Sequence, residues 1–152
     1  ASPRGLSRNR TELIIFPYRY DNGLKKIGEN FCNEFPLAYE YLERYRDELE
    51  KSNKDSGALW FEYGRSQALT KINTGKLLIS PIVSNKVNVT ILDQMHIPYS
   101  GIVITAKNNN LLTEAKRILE SEDFLKYIES IGIKSNGNSI RISGTDIKKY
   151  KY

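Results

Sequence analysis

Three β-forming runs follow one another in the middle of the chain, with helix-period sequence on either side, and that order decides the fold class. The runs are Lys76–Pro81, Lys86–Leu92 and Gly101–Ala106. In the second, Val87, Val89 and Ile91 alternate with Asn88, Thr90 and Leu92, the period of a half-buried strand. The third, Gly-Ile-Val-Ile-Thr-Ala, is more continuously apolar. Strands gathered in the middle and helices gathered at the ends predict an α+β fold. The expected architecture is a curved, mostly antiparallel sheet in the middle third, flanked by an N-terminal helix and a C-terminal helix pair.

The N-terminal helix is predicted from Pro36 to about Lys51. Proline is tolerated in a first helical turn. Ala38, Tyr41, Leu42, Tyr45 and Leu49 recur at three- and four-residue steps, and this stripe is read as the core-facing side. The C-terminal pair is predicted at Leu111–Glu120, with Asn108, Asn109 or Asn110 as its cap, and from Ser121 to a stop at Gly132. A short strand is expected at Glu12–Tyr18, ending at Pro17, followed by a loop through Asn22-Gly23. Ser139–Ser143 alternates as a last short strand before a helical turn from Thr145. The stretch from Trp60 to Leu69 is either a strand with a turn at Gly64 or a compact loop.

Charge enters the argument through its distribution. The chain of 152 residues has a net charge of +5. Between Tyr63 and Leu92 there is no acidic residue, yet Arg65, Lys71, Lys76 and Lys86 all fall there. Ala1–Thr11 adds Arg4, Arg8 and Arg10 and reads as a basic linker or arm. Leu37–Asp55, in contrast, mixes Glu40, Glu43, Asp47, Glu48, Glu50 and Asp55 with Arg44, Arg46, Lys51 and Lys54. Such asymmetry suits a surface that meets a polyanion. Ordinary unevenness in a basic domain is the plainer reading. Since the first residue is Ala1, the chain is expected to be a piece of a longer protein, with one domain spanning 12–152.

Several chemistries find no support. The one cysteine, Cys32, and the one histidine, His96, leave structural zinc without its ligands, so no metal is expected. Cys32 reads as a small buried hydrophobe and His96 as a loop residue. No Gly-rich phosphate loop occurs, and no apolar run approaches membrane length. The low cysteine count fits a cytoplasmic protein. The acids Glu48 and Glu50 lie on a predicted helix rather than on the paired strands a metal nuclease would use. No catalytic residue is assigned, and the fragment is not expected to be an enzyme or to hold a cofactor.

Arg65, Ser66 and Gln67 bring together a forked donor, a hydroxyl and an amide. These side chains read base edges or grip phosphates: Arg takes guanine, Gln takes adenine, and Ser takes either. Trp60, Phe61 and Tyr63 add aromatic mass, and Gly64 permits a tight turn or a close backbone approach. Equally, Arg65 pairs with Glu62 or the first helix in a purely structural reading, with Trp60 as plain core.

The residues Phe16-Pro17-Tyr18, Phe35-Pro36-Leu37-Ala38-Tyr39-Glu40-Tyr41-Leu42, Arg46-Asp47-Glu48-Leu49, Trp60-Phe61-Glu62-Tyr63-Gly64-Arg65-Ser66-Gln67 and Lys76–Pro81 occur in that order. Phe124–Ile128, Ile140–Ser143 and Asp146-Ile147 follow. From about Leu13 to Tyr150 this order resembles the target-recognition domain of adenine-specific DNA methyltransferases in restriction-modification systems. The nearest type is the TaqI-like C-terminal specificity domain, also found in type IIG enzymes with a fused nuclease. The resemblance implies a module that binds double-stranded DNA and selects the sequence to be methylated. Methyl transfer would then belong to an S-adenosylmethionine-binding domain elsewhere in the parent protein, which would flip out the adenine. The Pro-Pro of that domain's Asn/Asp-Pro-Pro-Tyr/Phe motif does not occur in this chain. On this resemblance Trp60, Tyr63, Gly64, Arg65, Ser66 and Gln67 form the recognition-side motif. Lys71, Lys76, Lys86, Arg4, Arg8 and Arg10 are phosphate-contact candidates from charge alone. The other readings are the recognition half of a separate specificity subunit, an RNA-binding or protein-interaction module, and a small metal nuclease.

Overall fold

The computed structural model describes residues 12–152 apart from 72, 99, 107–109 and 136, together with all side chains of the described residues except Gln67 and Asn110. The basic arm with Arg4, Arg8 and Arg10, and the cap expected at Asn108 or Asn109, lie outside the described residues. The chain divides into two compact units, one at Glu12–Lys71 and one at 73–152.

In the first unit, residues 12–17 are irregular and β1 (Tyr18–Tyr20) pairs antiparallel with β2 (Leu24–Lys26). The strand expected at Glu12–Tyr18 is therefore displaced. Asn22-Gly23 is the reason: with φ of 49° and 127° these two residues turn the chain back, so the residues on either side pair as a hairpin. Three short helices follow: α1 (Phe31–Glu34), α2 (Pro36–Glu43) and α3 (Arg46–Glu50). The predicted single helix is thus broken at Arg44–Tyr45, and an unforeseen turn precedes it. Phe35, at φ −133° and ψ 60°, leaves the helical region because Pro36 disfavours it there.

The inward face of α2 and α3 keeps Ala38, Leu42 and Leu49 of the predicted stripe half-buried, adds Tyr39, and leaves out the two tyrosines. Tyr39 lies edge-on to Trp60 and Phe61, at 5.5 and 6.0 Å, and Phe31 stacks on Phe61 at 4.9 Å. The Arg46 guanidinium sits 5.1 Å over the Trp60 ring, a cation–π contact. Tyr41 and Tyr45, assigned to the core by their spacing, are 51% and 45% exposed. The larger aromatic surface of Trp60 and Phe61 attracts Tyr39 and Arg46, and this rotates the tyrosine pair outward.

The second unit matches the expected order closely and is an α+β arrangement. Its central strand β3 (Lys76–Ile79) is flanked by β5 (Val89–Leu92) and β6 (Ile102–Thr105), both antiparallel to it. All four residues of β3 are buried. A second small antiparallel sheet has the order β4 (Ile82–Val83), β8 (Ile140–Arg141), β7 (Ile133–Lys134). Helices α4 (Asn110–Leu119) and α5 (Glu122–Ile131) pack through Leu112, Leu119, Phe124 and Ile128 onto Leu77, Ile79 and Val89 of the sheet. Ser121 caps α5 by accepting from Phe124 N. α4 also closes the outer edge of β5: Lys116 Nζ donates to Val89 O at 2.5 Å, and Glu120 Oε1 accepts from Val89 N at 2.9 Å. A strand edge satisfied in this way is closed to further pairing at that residue. The last helix, α6 (Gly144–Lys149), starts from a capping box made by Ser143 and Asp146.

Candidate nucleic-acid interface

The Trp60–Gln67 stretch is a compact loop running into a 3₁₀ turn at Gln67–Lys71. Its anchor is Glu62, whose side chain is fully buried. One carboxylate oxygen, Oε2, accepts from Lys26 Nζ at 2.7 Å and from Leu59 N at 3.0 Å. The Glu62 carbonyl accepts from Lys54 Nζ at 2.9 Å. A buried carboxylate is tolerated only when paired in this way. The bond to Glu62 raises the Lys26 ammonium above the usual lysine range.

Tyr63 is held at both ends. Its N–H donates to the Tyr18 hydroxyl at 2.9 Å, and its own hydroxyl donates to Ile15 O at 2.7 Å. Burial pushes the Tyr63 phenol up to about 12, because desolvation disfavours the phenolate. Phe16, Tyr18 and Tyr63 pack as a ring cluster with centroids 5.3–6.0 Å apart. Gly64 runs against the backbone at Asn53: a Cβ on it would come within 2.2 Å of Asn53 O. Beside it, Asp55 N donates to Gly64 O at 2.9 Å. Ser66 N donates to Asp55 Oδ2 at 3.3 Å, and Tyr20 hydroxyl donates to Leu69 O at 2.8 Å.

These contacts divide the motif. Trp60, Tyr63 and Gly64 brace the loop from inside. Ser66 is half-buried at its rim, and the Gln67 side chain lies outside the described residues. Arg65 is exposed, and its guanidinium has no hydrogen bond or ion pair among the described residues. The structural reading in which Arg65 neutralises Glu62 is replaced by Lys26, which takes that position. Lys71 is exposed at the end of the 3₁₀ turn.

The lysines of the second unit separate sharply. Lys86 is exposed in the β4–β5 connection. Lys76 is 0% exposed, and its ammonium donates to Asp93 O at 2.5 Å. Desolvation pulls its pKa below the ordinary lysine value. Lys76 is therefore corrected from a phosphate contact to an interior residue of the central strand, where neighbours on both sides and packing on both faces leave the side chain no route to solvent. Lys26, Lys54 and Asp55, the loop's staples, were not singled out from sequence. Only their partners Glu62, Gly64 and Ser66 sat inside a visible motif, and the Lys26–Glu62 pairing across 36 residues has no sequence signal.

Cys32 is half-buried with no disulfide, and His96 Nδ1 lies 2.7 Å from Asp93 Oδ1 in an exposed turn. Among the described residues no group of three or more His, Cys, Asp or Glu is placed to hold a metal ion. No described helix is long and apolar enough to cross a membrane. Charge divides between the units: residues 12–71 hold eleven acids against nine Lys and Arg, and residues 72–152 hold seven against eleven. Comparison of the chain with family models, with curated proteins and with solved structures finds no match, so the likeness to target-recognition domains rests on the sequence motifs alone.

Proposed function

We infer that this chain is a duplex-DNA recognition module, the part of a restriction-modification methyltransferase that selects the adenine-containing site. The observation that carries the reading is Arg65: an exposed guanidinium, without a partner among the described residues, on a loop held by Lys26 on the Glu62 side chain, by the Tyr18 hydroxyl on the Tyr63 N–H and by Ile15 O on the Tyr63 hydroxyl, with the Gly64 backbone close against Asn53. A fork held on a rigid support loses little side-chain freedom when it engages a guanine edge or a phosphate. Ser66 offers a second polar group at the rim, while Lys71 and Lys86 supply exposed positive charge. The module brings no chemistry of its own. Methyl transfer from S-adenosylmethionine belongs to the catalytic domain of the parent protein, which works on DNA in the cytoplasm.

The test is selection from a random pool of duplex DNA at several salt concentrations, followed by sequencing of the retained fraction. A steep log–log salt dependence with an enriched short motif supports a sequence reader. Absence of binding at low salt overturns the reading.

A further inference from the structure

The outward face of α2 and α3 is apolar and acidic together. Leu37 is 81% exposed, Tyr41 51% and Tyr45 45%, and the two tyrosine rings lie 5.4 Å apart. A shallow groove of about 520 Å³ runs between Tyr41, Leu42, Tyr45, Glu48 and Leu49. Glu48 lines it, and neither its carboxylate nor that of Asp47 has a hydrogen bond or ion pair among the described residues. Of the other charges on these helices, Arg44 pairs with Glu40 and Arg46 with Glu43 and Glu50, while Lys51 stands exposed at the end of α3, so residues 36–51 carry five acids against three bases. Two exposed rings over the half-buried Leu42 and Leu49, beside two carboxylates without partners among the described residues, have a definite chemical complement.

We propose that this groove docks a basic amphipathic helix of a partner protein, its leucines on Leu42 and Leu49 and a lysine or arginine between Tyr45 and Glu48. Charge complementarity selects the occupant. The free carboxylates repel nucleic-acid phosphates over about a Debye length, and they offer a cation both an ion pair and two ring faces. α3 already holds one cation over a ring, Arg46 on Trp60. The site shares no residue with Arg65, Ser66 or Lys71, so it stands apart from the DNA reading.

The experiment uses the full chain and two synthetic peptides of about 14 residues, each an Ala-rich helix with leucines on one stripe, flanked by lysines in one and by glutamates in the other. Binding is read by calorimetry and by chemical-shift changes at Tyr41 and Tyr45. The lysine peptide is expected to bind, and Glu48→Lys is expected to weaken it roughly tenfold while admitting the glutamate peptide. Tyr45→Ala, at an exposed position, is expected to weaken binding with the fold intact. Equal binding of both peptides, or indifference to Glu48→Lys, overturns the proposal. So does concentration-dependent dimerisation abolished by Tyr45→Ala, which would make a second copy of the chain the occupant. Movement of the Tyr41 and Tyr45 signals by duplex DNA instead would also overturn it.

Discussion

Lys26 Nζ and Glu62 Oε2 meet at 2.7 Å across 36 residues of sequence, joining the β1–β2 hairpin to the loop that carries Arg65. The acid of the pair is wholly buried and the base is 46% exposed. Glu62→Ala is expected to lower stability by about 2–3 kcal/mol, since Leu59 N loses its acceptor and Lys26 its partner. Urea unfolding checks this as a lower midpoint at an unchanged slope. Lys26→Met should cost a comparable amount, because it leaves the buried carboxylate without its counter-ion, with only Leu59 N donating to it.

Gly64→Ala is expected to destabilise by about 1–3 kcal/mol. The added Cβ would sit 2.2 Å from Asn53 O, and a backbone atom cannot step aside as a side-chain end can. Thermal unfolding gives the measurement. A Gly64→Ala variant as stable as the parent would mean the irregular segment 53–55 moves freely against Gly64.

Arg65→Ala is expected to change stability by less than about 0.5 kcal/mol, because the exposed guanidinium has no partner among the described residues. In contrast, it should weaken binding to the selected DNA site by about 1–3 kcal/mol. The two effects are separated by measuring unfolding and binding on the same preparation. If the domain unfolds and affinity per folded molecule persists, Arg65 is a structural residue.

Lys71→Ala should lower affinity for all duplexes alike and reduce the salt slope by about one. Lys76→Met should leave both affinity and slope untouched, since the Lys76 ammonium is spent on Asp93 O inside the unit. Binding isotherms at four or five salt concentrations distinguish the two lysines.

The Tyr63 phenol, raised from 10.0 to about 12, gives a signed pH dependence. Above pH 10 the unfolded chain loses this proton first, so the folded state holds more protons and stability falls as pH rises towards 12. Below pH 10 the effect is absent. Tyr18 and Tyr20 are raised by burial and act in the same direction. Tyrosinate absorbance during an alkaline titration should show a late-ionising fraction, and Tyr63→Phe should diminish it.

The sheet was legible because strand order there is set by near neighbours. Leu77 and Ile79 of β3 face residues of β5 and β6 within about thirty positions, and each run carries its own β-forming residues. The alternation overreached only at Ile91, which is 47% exposed despite sharing the parity of the buried Val87 and Val89. The first unit was less legible, because its core is aromatic and long-range. Periodicity alone gave Tyr41 and Tyr45 to the interior, and no local signal announces that Tyr39 and Arg46 will be claimed by Trp60. The motif itself stood out in sequence, but the division of labour inside it did not. Whether Arg65 faces Glu62 or solvent depends on Lys26, far upstream. Lys76 was misjudged for a related reason: a lysine heading a strand looks exposed until neighbours are found on both sides.

The Lys26–Glu62 tie closes the chain on either side of α1, α2 and α3, which makes those helices a pinned insertion. Within it, replacement should be tolerated unevenly. Tyr39 and Arg46 are held to Trp60 and have little freedom to vary, whereas the outer positions Leu37, Tyr41, Tyr45 and Glu48 can be exchanged without disturbing the loop. A new partner could therefore be acquired on the outer side of α2 and α3 while the Arg65 loop keeps its shape.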